Sequence, residues 1–115
     1  MAGQIKINEI EVEVTLDREA IERLAGGPDV ERALQAVGQV GEAAAKGYAP
    51  VDTGTLRRSL THELGKRGFD QYVRIGTNIS YAIFQELGTR FHPAHPFLRP
   101  SLADIELFIR RSDEL

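Results

Sequence analysis

An α+β fold is predicted by three patterns in this sequence: an antiparallel sheet packed against a long central helix, with short helices and a C-terminal helix. Residues 4–16 alternate apolar and polar side chains with the period of a strand. Residues 30–48 place apolar or small side chains at intervals of three and four, the period of a helix. Residues 71–77 then return to the strand period behind Gly65-Lys66-Arg67-Gly68-Phe69-Asp70, a stretch with the composition of a hairpin loop. No linker divides the chain, so its 115 residues form a single domain, 1–115. A chain of that size buries roughly two-thirds of its unfolded surface.

In the first strand region Ile5 and Ile7 fall on one parity and Ile10, Val12, Val14 and Leu16 on the other. A slip of one residue turns every side chain to the opposite face, so a β-bulge or tight turn is required at Asn8-Glu9. Glu9, Glu11 and Glu13 share the outer face. They are candidates for contact with a basic partner, against the plainer reading of a solvated face that discourages edge pairing.

Asp17 has the character of an N-cap, with Leu16 and Ile21 placed as a hydrophobic staple across it. Leu24 continues that face, and Ala25-Gly26-Gly27 ends the helix. Pro28 suits the first position of the next helix, and Asp29 and Glu31 complement its dipole. Val30, Leu34, Val37, Gly41, Ala44 and Tyr48 define its inner face. Gly38, Gly41 and the alanines 43–45 are small enough to let another backbone approach, and the weak helix propensity of the glycines is to be offset by close packing across the sheet or by a helix-to-helix subunit contact.

Pro50 removes a donor and biases Ala49 out of the helical region, so the helix ends near Tyr48. Pro50, Asp52, Thr53 and Gly54 read as a structured corner: the two short polar side chains accept from nearby N–H groups, and Gly54 permits a positive φ. Leu56, Leu60 and Leu64 fit a helical face and a strand parity equally well. The expectation is a turn over 53–57 running into a strand that ends at Leu64. Lys66 and Arg67 make the following loop basic, and Val73 and Ile75 point inward on its return strand. Asn78 or Ser80 then caps a short helix whose apolar face, Tyr81, Phe84 and Leu87, is expected to join the core before Gly88 stops it.

His92 and His95 lie three apart, but Pro93 and Pro96 make the segment extended, and a third ligand has to come from Glu86 or His62. The prolines suit a loop stiffened for docking, with Arg90, Phe91, His92, Phe97 and Arg99 as candidate contacts. Pro100 opens a last helix with an apolar face of Leu102, Ile105, Phe108 and Ile109, ending near Arg110-Arg111.

The chemistry is sparse. The chain has no cysteine and therefore no disulfide, thiol nucleophile or cysteine metal site. It carries no phosphate-binding glycine loop and no serine paired by motif with a histidine. A formal net charge of -3 supplies no bulk attraction to nucleic acid or to an anionic membrane. With no signal core and no run approaching 18 apolar residues, a soluble protein made and used in the cytoplasm is expected. It is expected to be no enzyme, with no cofactor, no metal, no sequence-specific nucleic acid and no membrane among its partners.

Two resemblances sharpen this. Asp52-Thr53-Gly54 is similar to the catalytic triplet of the retroviral-type aspartic proteases, which are dimers of chains of about this length. There the triplet ends an apolar strand; here Pro50 precedes it, and Arg57 and Arg58 follow where apolar groups belong. The blocks from Ala49 to Leu60, from Tyr81-Ala82 to Glu86-Leu87-Gly88-Thr89, and from Pro96 to Leu102 together resemble the tail-completion, head-tail joining family of long-tailed bacteriophages. That resemblance covers roughly half the chain, in three ordered blocks. It implies a virion protein of a phage or prophage neck, assembled in the host cytoplasm into a ring at the top of the tail. Its neighbours would be the head connector and the tail terminator or tail tube. Such a ring needs two different complementary patches on each subunit; the acidic strand face, the Lys66-Arg67 tip and the Arg90–Pro100 segment are the candidates.

Overall fold

The computed structural model describes residues 3–7, 11–49, 54–79, 81–91 and 93–111. Four strands, β1 (Gly3–Ile7), β2 (Glu11–Leu16), β3 (Thr61–Arg67) and β4 (Asp70–Gly76), form one antiparallel sheet in the order β1-β2-β4-β3. The parity slip of the first strand region is a reversal of the chain. β1 and β2 pair with Ile5 opposite Val14 and Ile7 opposite Val12, so the two apolar parities become cross-strand partners. Residues 8–10, with Glu9 and Ile10, lie outside the described residues. Across the rest of the sheet Val12, Ile75 and His62 form one row, and Val14, Val73 and Leu64 the next.

Helix α1 (Arg18–Ala25) is capped by Asp17, whose carboxylate accepts from the Ala20 N–H at 2.8 Å, and Gly26 ends it with a φ of 71°. Helix α2 (Val30–Tyr48) is capped by Asp29, which accepts from the Arg32 N–H at 3.1 Å. Pro28 therefore precedes the cap instead of opening the helix: the side chain able to accept a hydrogen bond takes the boundary. Leu34, Val37, Gly38, Gly41 and Ala45 of α2 are buried, and the inner face holds until the last turn, where Tyr48 emerges into solvent.

The two buried glycines are where α2 meets the sheet. A Cβ on Gly38 would lie 2.5 Å from the His62 ring, and one on Gly41 2.6 Å from the Ile75 side chain. Gly38→Ala would gain about 1 kcal/mol in helix propensity. It would also drive a methyl into the imidazole and Val73, and overpacking of that kind costs typically about 1 to 3 kcal/mol. A lowered denaturation midpoint is expected, whereas a raised midpoint would mean that His62 has room to yield.

Helix α3 (Thr55–Ser59) takes the place of the predicted turn, buries Leu56, and gives way to β3 after Leu60. Both patterns read in Leu56, Leu60 and Leu64 are realised in succession, helix first and strand second. The hairpin loop shrinks to Gly68-Phe69, because Arg67 still pairs with Asp70; Gly68, with a φ of 68°, supplies the conformation a two-residue hairpin requires.

Helix α4 (Ala82–Leu87) reverses an expectation. Tyr81, Phe84 and Leu87 are 40%, 57% and 44% exposed, and the helix buries Ala82 and Glu86 instead. No side chain caps it; Thr77 accepts from the Ile79 N–H and shares a hydrogen bond with Ser59, tying the entry to α4 back to the end of α3. Helix α5 (Leu98–Arg111) begins two residues before Pro100. It runs beside α2, and its Ile105 reaches the same Gly41 that receives Ile75. The core thus lies between one face of the sheet and the pair α2 and α5, and includes Val12, Val14, Leu34, Val37, Val73, Ile75, Phe97, Leu98 and Ile105.

Candidate interaction site

The first N–H groups of a helix have no intrahelical partner and carry partial positive charge. In α5 they are met from outside. Gly88, with a φ of 79°, turns the chain out of α4, and the His95 N–H donates to the Gln85 carbonyl at 2.8 Å as the extended segment returns. The N–H groups of Phe97, Leu98 and Arg99 then converge on the Glu86 carboxylate at 3.1, 2.7 and 3.3 Å. Pro100, next in line, has no N–H to satisfy. Glu86 is 1% exposed, and the Arg99 guanidinium stands 3.9 Å from it. A carboxylate on one helix is the cap of another, and it explains why α4 turns its polar side inward.

This clamp joins two of the sequence blocks, Glu86-Leu87-Gly88 and Pro96-Phe97-Leu98-Arg99-Pro100. It also commits Glu86 to backbone. His62, the other possible third metal ligand, bonds to Glu42 at 3.1 Å under α2. Among the described residues no group of three His, Cys, Asp or Glu is placed to hold a metal; His92 lies outside them.

Of the proposed contact residues in this region, Arg90 and Phe91 are exposed, with the guanidinium 5.3 Å from the ring centroid, and Arg99 is partly exposed. Phe97 is different: at 0% exposure it belongs to the domain's own core.

The acidic strand face and the basic tip meet each other. Arg67 donates two hydrogen bonds to Glu13, at 3.1 and 2.8 Å, reaching across β4 because β4 lies between β2 and β3. Arg74 lies 3.4 Å from Glu11 and 3.5 Å from Glu13, and the Arg67 and Arg74 guanidinium groups lie 4.8 and 4.9 Å from the centroid of the Tyr72 ring. Lys66 remains exposed at the end of β3.

These pairs set an acid limit. The Arg67 hydrogen bonds hold the Glu13 carboxyl below its ordinary value of 4.5 despite some desolvation. Burial works against ionisation of Glu42, but hydrogen bonds from His62 and Lys46 outweigh it and the pKa is again lowered. A carboxyl depressed in the folded state contributes stability in full above its unfolded pKa and loses it as pH falls through the folded one. Thermal midpoints should therefore hold down to about pH 4.5 and fall below it; Glu42→Gln should start lower at neutral pH and lose less on acidification. Parallel acid limbs in the two proteins would remove Glu42 from this account.

Pro50, Asp52 and Thr53 of the corner lie outside the described residues; Gly54, with a φ of 71°, stands at the N-cap of α3. In sequence the triplet falls between α2 and α3, and the described residues that precede it, from Val30 to Tyr48, are helical.

Residues 18–88, more than half of the chain, match the family described as "Bacteriophage HK97-gp10, putative tail-component". The chain belongs to this family. Membership marks it as a phage tail component and gives the protease reading no support. No curated protein and no solved structure matches the chain. Among the described residues no helix is long and apolar enough to cross a membrane.

Proposed function

We propose that this tail component completes the phage tail and joins it to the head connector, as one subunit of a non-catalytic ring in the neck of the virion. The reading is carried by the clamp at Glu86. It gathers two of the three sequence blocks that resemble the joining proteins into one rigid unit, which presents Arg90, Phe91 and the outer face of α4 to the surroundings. A ring completed on the growing particle must not close beforehand, so the isolated protein is expected to be a weakly associating monomer, or a mixture, at micromolar concentration. Electron microscopy of purified particles, with the protein located by a small fused tag, tests the reading. Density for a ring at the head-tail junction is expected; absence from particles, or a position away from the junction, would overturn it.

A further inference from the structure

We infer that the outer face of α4 and the loop after it dock onto a different protein of the particle, in an apolar groove rimmed by Asp and Glu. Tyr81, Phe84 and Leu87 stand exposed on α4, and Phe91, 79% exposed, follows in the loop. Aromatic side chains and arginine are what protein interfaces enrich, and lysine and acids are what they deplete. Between residues 77 and 99 the one carboxylate is the buried Glu86, whereas Arg90 and Arg99 are exposed, in a chain of net charge -3. The face is apolar with a basic edge.

Its shape is set before any partner arrives. The Phe91 N–H donates to the Thr89 hydroxyl at 3.2 Å, the Arg90 guanidinium stands 5.3 Å from the Phe91 ring centroid, and the His95 N–H fastens the far end of the loop to the Gln85 carbonyl. A loop already held by its own bonds loses little entropy on docking.

The chain does not carry the counterpart itself. A matching groove needs apolar side chains beside carboxylates free to meet Arg90. Among the described residues Glu11 and Glu13 meet Arg74 and Arg67, Glu42 meets Lys46 and His62, and Asp17 and Asp29 cap helices. The large apolar side chains exposed elsewhere are Tyr48 on α2, Phe69 in the β3–β4 turn and Leu107 on α5, one to an element. Two copies of the α4 face laid together would set arginine against arginine. Nucleic acid fits less well still, because two exposed arginines neutralise few phosphates and leave the apolar side chains unanswered. An acidic, apolar groove on another chain answers both features. The inference rests on the proposed function only for the place of that partner, at the head-tail junction.

The chain lacks cysteine, so Ala94→Cys, exposed next to His95, places a single thiol at the edge of the face. In particles assembled with this variant, its thiol carrying a benzophenone, illumination should link it to a different particle protein at a peptide with Asp or Glu among apolar residues. The same label on Gln35→Cys, exposed on α2, should not reach that peptide. Adding Phe84→Ala should lower the yield about tenfold or more, the scale of a hot-spot side chain. Arg90→Glu should lower it several-fold and Arg90→Lys retain it, with the circular dichroism of all three unchanged. A link to a second copy or to nucleic acid, no link from particles that contain the labelled protein, or full yield from Phe84→Ala would overturn the inference. The expected link from a protein located away from the junction would sink the neck reading alone, and a wrong link at the junction would sink this inference alone. Absence from particles would sink both.

Discussion

Glu86→Ala is expected to detach the start of α5 and to destabilise the domain by about 3 to 6 kcal/mol, since three N–H groups, two of them buried, lose an ionised acceptor. Unsatisfied buried donors cost about 1 to 3 kcal/mol each, and bonds to charged groups lie at the upper end. Glu86→Gln separates charge from shape. Its remaining oxygen can keep the two bonds made by Oε1, while its amide nitrogen would face the Arg99 N–H as donor against donor. An intermediate loss is expected, with faster amide exchange at residues 97–99 before any change in the sheet. Equal stability of the alanine variant and the native protein would show that water serves these donors as well as Glu86 does.

How much of this was legible in the sequence depends on the range of each interaction. Period-two and period-3.6 patterns located β2, β4 and α2, and Gly38 and Gly41 announced a close approach, because those signals are local, whereas the leucines before β3 fitted both periods. The clamp is not local. A helix that opens at His95-Pro96-Phe97-Leu98 without Ser, Thr, Asp or Asn ahead of it lacks a cap of its own, and that missing residue was the available sign that Glu86 supplies one. The same demand turned α4 over, so that Tyr81, Phe84 and Leu87, which its spacing assigns to the core, face outward.

The candidate contacts divide in the same way. Exposure of Arg90 and Phe91 follows from a proline-stiffened loop. Pairing of Glu13 with Arg67 requires the strand order β2-β4-β3, which no periodicity encodes. Of the acidic face and the basic tip, Glu13 and Arg67 thus bind one another within the subunit, and Lys66 is exposed beside them.

Deleting residues 101–115 is expected to abolish the fold. Ile105 and Ile109 are buried, and Leu102 and Phe108 pack against the core from its edge. Full burial of such a side chain contributes about 1.5 to 3 kcal/mol. Counting two in full and two by half gives a loss of about 4.5 to 9 kcal/mol, against a total stability of about 5 to 15 for a small domain. The deletion also uncovers Gly41 of α2, where no side chain of the helix itself can fill the space left by Ile105. The amide spectrum should collapse. Phe97 and Arg99, grouped from the sequence as contacts for a neighbour, should now separate. Phe97→Ala empties a fully buried site and should cost about 3 to 5 kcal/mol, whereas Arg99→Ala removes a partly exposed side chain and should leave the spectrum dispersed. A truncated chain with native dispersion and melting would make α5 an interaction arm, and a harmless Phe97→Ala would move the ring out of the core.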